Sequence, residues 1–103
     1  MTTPQFPVAD KRGKLRLVGS RDGRDGSVTI HQDAYMYAAL LDGSERAVHR
    51  LPAGRRAYVH VARGRLTANG TELGAGDALK ASDVPEIVLE RGEQAEVLLF
   101  DLA

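Results

Sequence analysis

Short apolar runs recur along the whole chain, and turn-forming pairs separate them. The runs cover 15–18, 27–32, 34–41, 46–51, 57–63, 65–69, 77–81, 86–90 and 95–101. Between them stand Asp22-Gly23, Asp25-Gly26, Asp42-Gly43, Pro52-Ala53-Gly54, Asn69-Gly70, Gly74-Ala75-Gly76 and Arg91-Gly92. Strands spaced this closely and broken this regularly predict a sandwich or barrel. No long segment holds a 3.6-residue period. The run 34–41 is apolar enough for a helical turn, but its length and two tyrosines favour a strand. The Asn69-Gly70 pair predicts a tight type I′ hairpin, because both central residues of that turn need positive φ. Residues 1–14, with Pro4, Pro7 and a cluster of charges, read as an extended arm, and 15–103 as one β domain.

Composition narrows the possibilities. The chain has 103 residues, enough for one domain with a core of its own. It contains no cysteine, so disulfides, thiol nucleophiles and thiolate metal sites are all excluded, and a cytoplasmic home is expected. Lys and Arg number 14 and so do Asp and Glu, which leaves no global field for a polyanion. With few aromatic residues for base stacking, nucleic acid is not an expected partner. No apolar run approaches the ~20 residues that span a bilayer, so no membrane contact is expected either. The N-terminal residues lack the apolar stretch of a secretory signal.

The segment LPAGRRAYVHVARGRLTANGTELGAGDALKAS (51–82) resembles a cupin core: a strand ending in glycine, a hairpin, then an L-x-x-G-D turn at Leu73 to Asp77. In that turn Gly supplies positive φ, and the Asp side chain bonds the local backbone. With KRGKLRLVGSRDGRDGSVTIHQDAYMYAALLDG and the terminal AEVLLFDL, the chain resembles the C-terminal cupin domain of bacterial pirin-like proteins, the bicupins described as quercetin 2,3-dioxygenases. The likeness runs from about Phe6 to Leu102. It implies an all-β, cupin-type (jelly-roll-like) antiparallel barrel or sandwich. It also implies that the family's iron-type site, three histidines and a glutamate, belongs to an N-terminal domain that this chain lacks. A metal-binding cupin carries H-x-H and Glu ahead of its glycine-ended strand. Here the corresponding 52–57 has neither His nor Glu, and beyond the G-D turn only Glu86 stands near the place of the late histidine. The expected cofactor is therefore none.

The polar candidates that remain are few. His31, His49 and His60 are the only histidines, and with Asp33 they form a weak metal set whose default role is structural. Period-2 alternation puts Thr29, His31 and Asp33 on one face of a strand, which we assign to a partner rather than to solvent. The stretch RDGRDGSVTIHQDA fails the calcium-loop test, since Arg24 and Gly26 fall where oxygen ligands are required, and it lacks the lysine of a phosphate loop. It reads as a double Asp-Gly turn. Arg55 and Arg56, with Arg63 and Arg65, form a possible anion rim whose default is solvated pairing with the acids. No catalytic residue is assigned.

Three functions follow as expectations. The first is a non-catalytic, metal-free structural or interaction module, partnered by a pirin-type N-terminal cupin domain or by a second copy in a homodimer. The second is a part of a quercetin 2,3-dioxygenase whose metal site lies outside this chain. The third is a small-molecule barrel lined by Tyr35, Tyr37 and Tyr58 and gated by Arg55 or Arg56.

Overall fold

The computed structural model describes Gly13 and residues 15–20, 28–29 and 34–103. The extended arm, the double Asp-Gly turn, His31, Asp33 and the side chain of Thr29 lie outside the described residues. Eight strands follow one another: β1 (Arg16–Ser20), β2 (Val28–Thr29), β3 (Ala34–Leu41), β4 (Ala47–Arg50), β5 (Arg56–Ala68), β6 (Thr71–Gly74), β7 (Ala78–Ser82) and β8 (Glu86–Leu102). There is no helix among the described residues. All strand pairs are antiparallel except β1 with β2.

The long strands β5 and β8 organise the rest. The first half of β5 pairs with β7 and with the last residues of β8, which also pair with β3. The second half of β5 pairs with β6, and the start of β8 pairs with β4. One bent ladder thus joins two half-sheets, β2-β1-β3-β8-β5-β7 and β4-β8-β5-β6, into an open cupin-type sandwich.

The bend corrects one expectation. Runs 57–63 and 65–69 are a single strand, and so are 86–90 and 95–101. The register slips between Val61 and Thr67, and the chain stays paired across Gly64 and across the anticipated Arg91-Gly92 turn. Such bulges insert residues without ending the ladder and increase its local twist. Gly64 adopts φ 67°, and a Cβ there would stand 2.3 Å from the carbonyl oxygens of Glu93 and Gln94. Opposite it, Arg91 and Gln94 take positive φ of 56° and 48°.

Local turn chemistry holds at the Asn69-Gly70 and Gly76-Asp77 turns. Asn69 and Gly70 have φ 46° and 82°, as a type I′ turn needs. The Asn69 side chain also accepts a hydrogen bond from the Val88 amide at 2.7 Å and donates to the Glu86 carbonyl at 3.0 Å, fixing the hairpin to β8. At the Gly76-Asp77 turn, the Asp77 carboxylate accepts from the Gly74 amide at 2.9 Å.

Alternation decides what is buried. Val59 and Val61 on β5, Val97 and Leu99 on β8, and Ala39 and Leu41 on β3 point inward from the first half-sheet. Leu66, Ala68, Leu73, Ile87 and Leu89 meet them from the second. Burying each large aliphatic side chain contributes ~1.5–3 kcal/mol. The space between the layers is filled with apolar side chains, which matters for the site at its end.

Candidate functional site

The inward rows of several strands end on polar residues at one end of the sandwich. On β8 the series Ala95, Val97, Leu99 leads by period 2 to Asp101, which is 3% exposed. On β3 the series Leu41, Ala39 leads back to Tyr37 and Tyr35. In the ladder Tyr35 stands opposite Asp101, and Ala57 of β5 flanks Asp101 on the other side. Arg55 immediately precedes β5. His49 comes from β4, in the other half-sheet, and reaches across to the same carboxylate.

The geometry is that of a buried ionic cluster. His49 Nε2 lies 2.8 Å from Asp101 Oδ2. An ionised carboxylate only accepts, so Nε2 is the donor. Arg55 donates through Nε to Asp101 Oδ1 and through Nη2 to the Asp101 carbonyl oxygen at 3.2 Å. Side-chain exposure is 5% for Asp101, 12% for His49 and 16% for Arg55. The guanidinium lies 5.4 Å from the centre of the Tyr35 ring, a cation–π placement. The Tyr37 and His49 rings are 4.7 Å apart and tilted by 50°. A carboxylate this buried is tolerable only when opposite charge and hydrogen bonds replace its water. Arg55 supplies the charge, and the two partners together occupy both oxygens.

This donor set does not fit a metal ion. His49 and Asp101 are bonded to each other, and a guanidinium already holds the carboxylate's second oxygen. His60 is on the opposite face of the first half-sheet, in register with Leu98 and Ala78, so the two described histidines do not converge. Among the described residues, no three His, Cys, Asp or Glu side chains are grouped so as to hold a metal.

Other sequence candidates separate in the same way. Arg55 joins the cluster, whereas Arg56 is exposed on the outer face. Tyr35 and Tyr37 face the inner end, but Tyr58 does not line the interior. It alternates with buried Ala57 and Val59 and packs outside against Phe100, ring centres 6.0 Å apart. Asp101 was not among the sequence candidates, although the alternation Ala95, Val97, Leu99 places it on the core face. A carboxylate there requires a cation nearby. The surface between the β4–β5 and β7–β8 loops holds a depression of about 730 Å³ lined by Arg50, Leu51, Pro52, Gly54, Val84 and Pro85. It lies between loops and not between the sheet layers.

Comparison with known proteins agrees with this architecture. Residues 17–102 match the family model described as the quercetinase C-terminal cupin domain. Quercetin 2,3-dioxygenase of Escherichia coli K12 is 40% identical over 87 residues, covering 84% of this chain and 38% of that protein. The crystal structure of YhhW from Escherichia coli superposes with a TM-score of 0.87 at 36% identity, over 97% of this chain and 42% of that one. A structure of bacterial pirin YhhW in complex with nickel(II) matches with a TM-score of 0.82 at 40% identity, over 85% and 38% of the two chains. The chain spans about two fifths of the length of the curated relatives it matches. The fold is therefore shared with bacterial pirin-like quercetin 2,3-dioxygenases, and the chain belongs to the quercetinase C-terminal cupin domain family.

Proposed function

We propose that this cupin domain is non-catalytic, holds no metal and acts as a structural and interaction module. One observation carries the proposal: both oxygens of Asp101, the buried carboxylate at the end of the core, are taken by Arg55 and His49. Behind them the interior is packed with aliphatic side chains. Such a cluster ties β4 and the β4–β5 loop to β8 and so joins the layers. Its groups are committed to one another, which argues equally against a ligand chamber gated by Arg55.

The partner is a pirin-type N-terminal cupin domain or a second copy of this chain. The greater length of the curated relatives and the family model's description as a C-terminal domain favour the former. No nucleic acid or membrane enters this function. Among the described residues no helix is long and apolar enough to cross a bilayer. A cysteine-free chain suits the cytoplasm.

A second possibility rests on the relatives' names. The Escherichia coli relative is a quercetin 2,3-dioxygenase, and the related pirin structure is a nickel(II) complex. On that view this domain belongs to a dioxygenase whose metal site lies in a separate cupin. Sedimentation velocity on the chain alone, and mixed with the N-terminal cupin domain of the Escherichia coli relative, tests the module. A homodimer or a mixed complex is expected, and a monomer in both runs contradicts it. Turnover of quercetin by the chain alone after loading with nickel(II) or iron(II) would move the activity into this domain and overturn the non-catalytic proposal.

A further inference from the structure

The outer face of the first half-sheet carries a site of different chemistry. In the β5–β7 ladder Arg56 stands opposite Ser82 and Tyr58 opposite Lys80, and across β5 Arg56 also faces Leu102. Directly paired residues project from the same side of a sheet. These side chains therefore surround one depression of about 410 Å³, whose floor is the backbone of Ala57 and Ala81. That volume falls in the range of roughly 300–1,000 Å³ typical of small-molecule sites.

The lining has two cations and no acid. Four other arginines are matched: Arg46 with Glu90, Arg55 with Asp101, Arg63 with Glu96 and Arg65 with Glu93. Among the described residues no side-chain carboxylate pairs with Arg56 or Lys80. Arg56 Nη2 donates to an oxygen of Ala103, the last residue, at 3.2 Å, which uses one of the five guanidinium N–H groups. Two cations lining one depression with no side-chain acid among them favour an anion there. The remaining wall is apolar and aromatic: the Tyr58 ring, braced by Phe100, together with Leu102.

We infer that this depression binds a small aromatic carboxylate. The planar guanidinium of Arg56 grips the carboxylate through paired N–H donors, as guanidinium forks do. The Lys80 ammonium adds a second positive charge beside it. The ring lies against Tyr58 and Leu102, where it removes apolar surface from water. The site is independent of the buried Asp101 cluster and of the module proposed above, since it lies on the opposite face of the same half-sheet.

The test is titration of the ¹⁵N-labelled chain with salicylate, inorganic phosphate and benzyl alcohol, followed by amide chemical shifts. Salicylate is expected to shift the amides of Arg56, Tyr58, Lys80, Ala81 and Ser82 saturably, in the millimolar range or tighter. Phosphate lacks the ring and benzyl alcohol lacks the charge, so each should bind at least about tenfold more weakly. Arg56→Gln and Lys80→Gln, both exposed and remote from the core, should each weaken salicylate by about tenfold and leave the rest of the spectrum in place. Absence of saturation, shifts centred elsewhere, or wild-type affinity in both variants would overturn the site. Phosphate binding as tightly as salicylate would overturn the aromatic part and with it the ligand class.

Discussion

Two arginine–carboxylate contacts in this domain have the same chemistry and opposite surroundings. Arg65 Nε meets Glu93 Oε2 at 2.5 Å on the surface, with side chains 57% and 62% exposed. Arg55 meets Asp101 at the end of the core, where the carboxylate side chain is 5% exposed. Solvent screens the first pair and replaces either partner cheaply when the other is lost. At the second pair neither partner can be removed without leaving a charge away from water. Burial, and not bond length, decides which contact the fold depends on.

Substitutions can pull this contrast apart, and the largest effect is expected at Asp101. Asp101→Ala leaves Arg55 and His49 facing a void and should cost about 3–5 kcal/mol, the range for breaking a buried pair from one side. Against a total stability of ~5–15 kcal/mol for a domain, urea denaturation should show an early midpoint or no cooperative transition. Arg55→Lys keeps the charge but loses the fork that bonds both the carboxylate and the Asp101 carbonyl. A loss of about 1.5–3 kcal/mol is expected, the value of a hydrogen bond to a charged group. If Arg55→Lys matches wild type, the geometry of the guanidinium does not matter and the contrast narrows to charge alone.

Gly64→Ala falls next. It places a Cβ against two backbone carbonyls at a positive φ, so relief requires moving the bulge that brings Arg65 towards Glu93. More than about 1 kcal/mol should be lost. Arg65→Ala is expected to leave the denaturation midpoint where it was. The hydrogen bond and then the charge of Glu93 raise the Arg65 guanidinium above its ordinary range, and Glu72 adds to this. A raised value means that any contribution is complete at every pH below the ordinary arginine value and fades only above it. No pH dependence from this pair should therefore appear between pH 5 and 9. A clear drop in the Arg65→Ala midpoint would erase the distinction between the two pairs.

Much of the fold could be read along the chain because its signals are local. The run 34–41 coincides with β3, and the Asn69-Gly70 and Gly76-Asp77 turns form through their own side chains and φ angles. The continuity of β5 and β8 was hidden because glycine is both a turn signal and a bulge residue. At Gly64 and Gly92 only the partner strand decides between them. A Cβ on Gly92 would lie 2.5 Å from the Leu41 carbonyl oxygen, a contact set by a strand fifty residues earlier in the chain. The cluster was half legible. Alternation puts Asp101 on the core face, but nothing near it in sequence indicates that His49 and Arg55 arrive from β4 and its loop. Tyr58, expected to line a barrel interior, faces outward, as its alternation with buried Ala57 and Val59 already required.

The claim that Asp101, His49 and Arg55 serve each other, and no metal, is most directly tested by thermal unfolding with and without nickel(II) or iron(II), alongside elemental analysis of the reloaded protein. A ligand that binds only the folded state raises stability by about 2.7 kcal/mol at a hundred times its dissociation constant. The account predicts an unchanged midpoint and no stoichiometric metal. A metal-dependent rise that disappears in His49→Ala would contradict it.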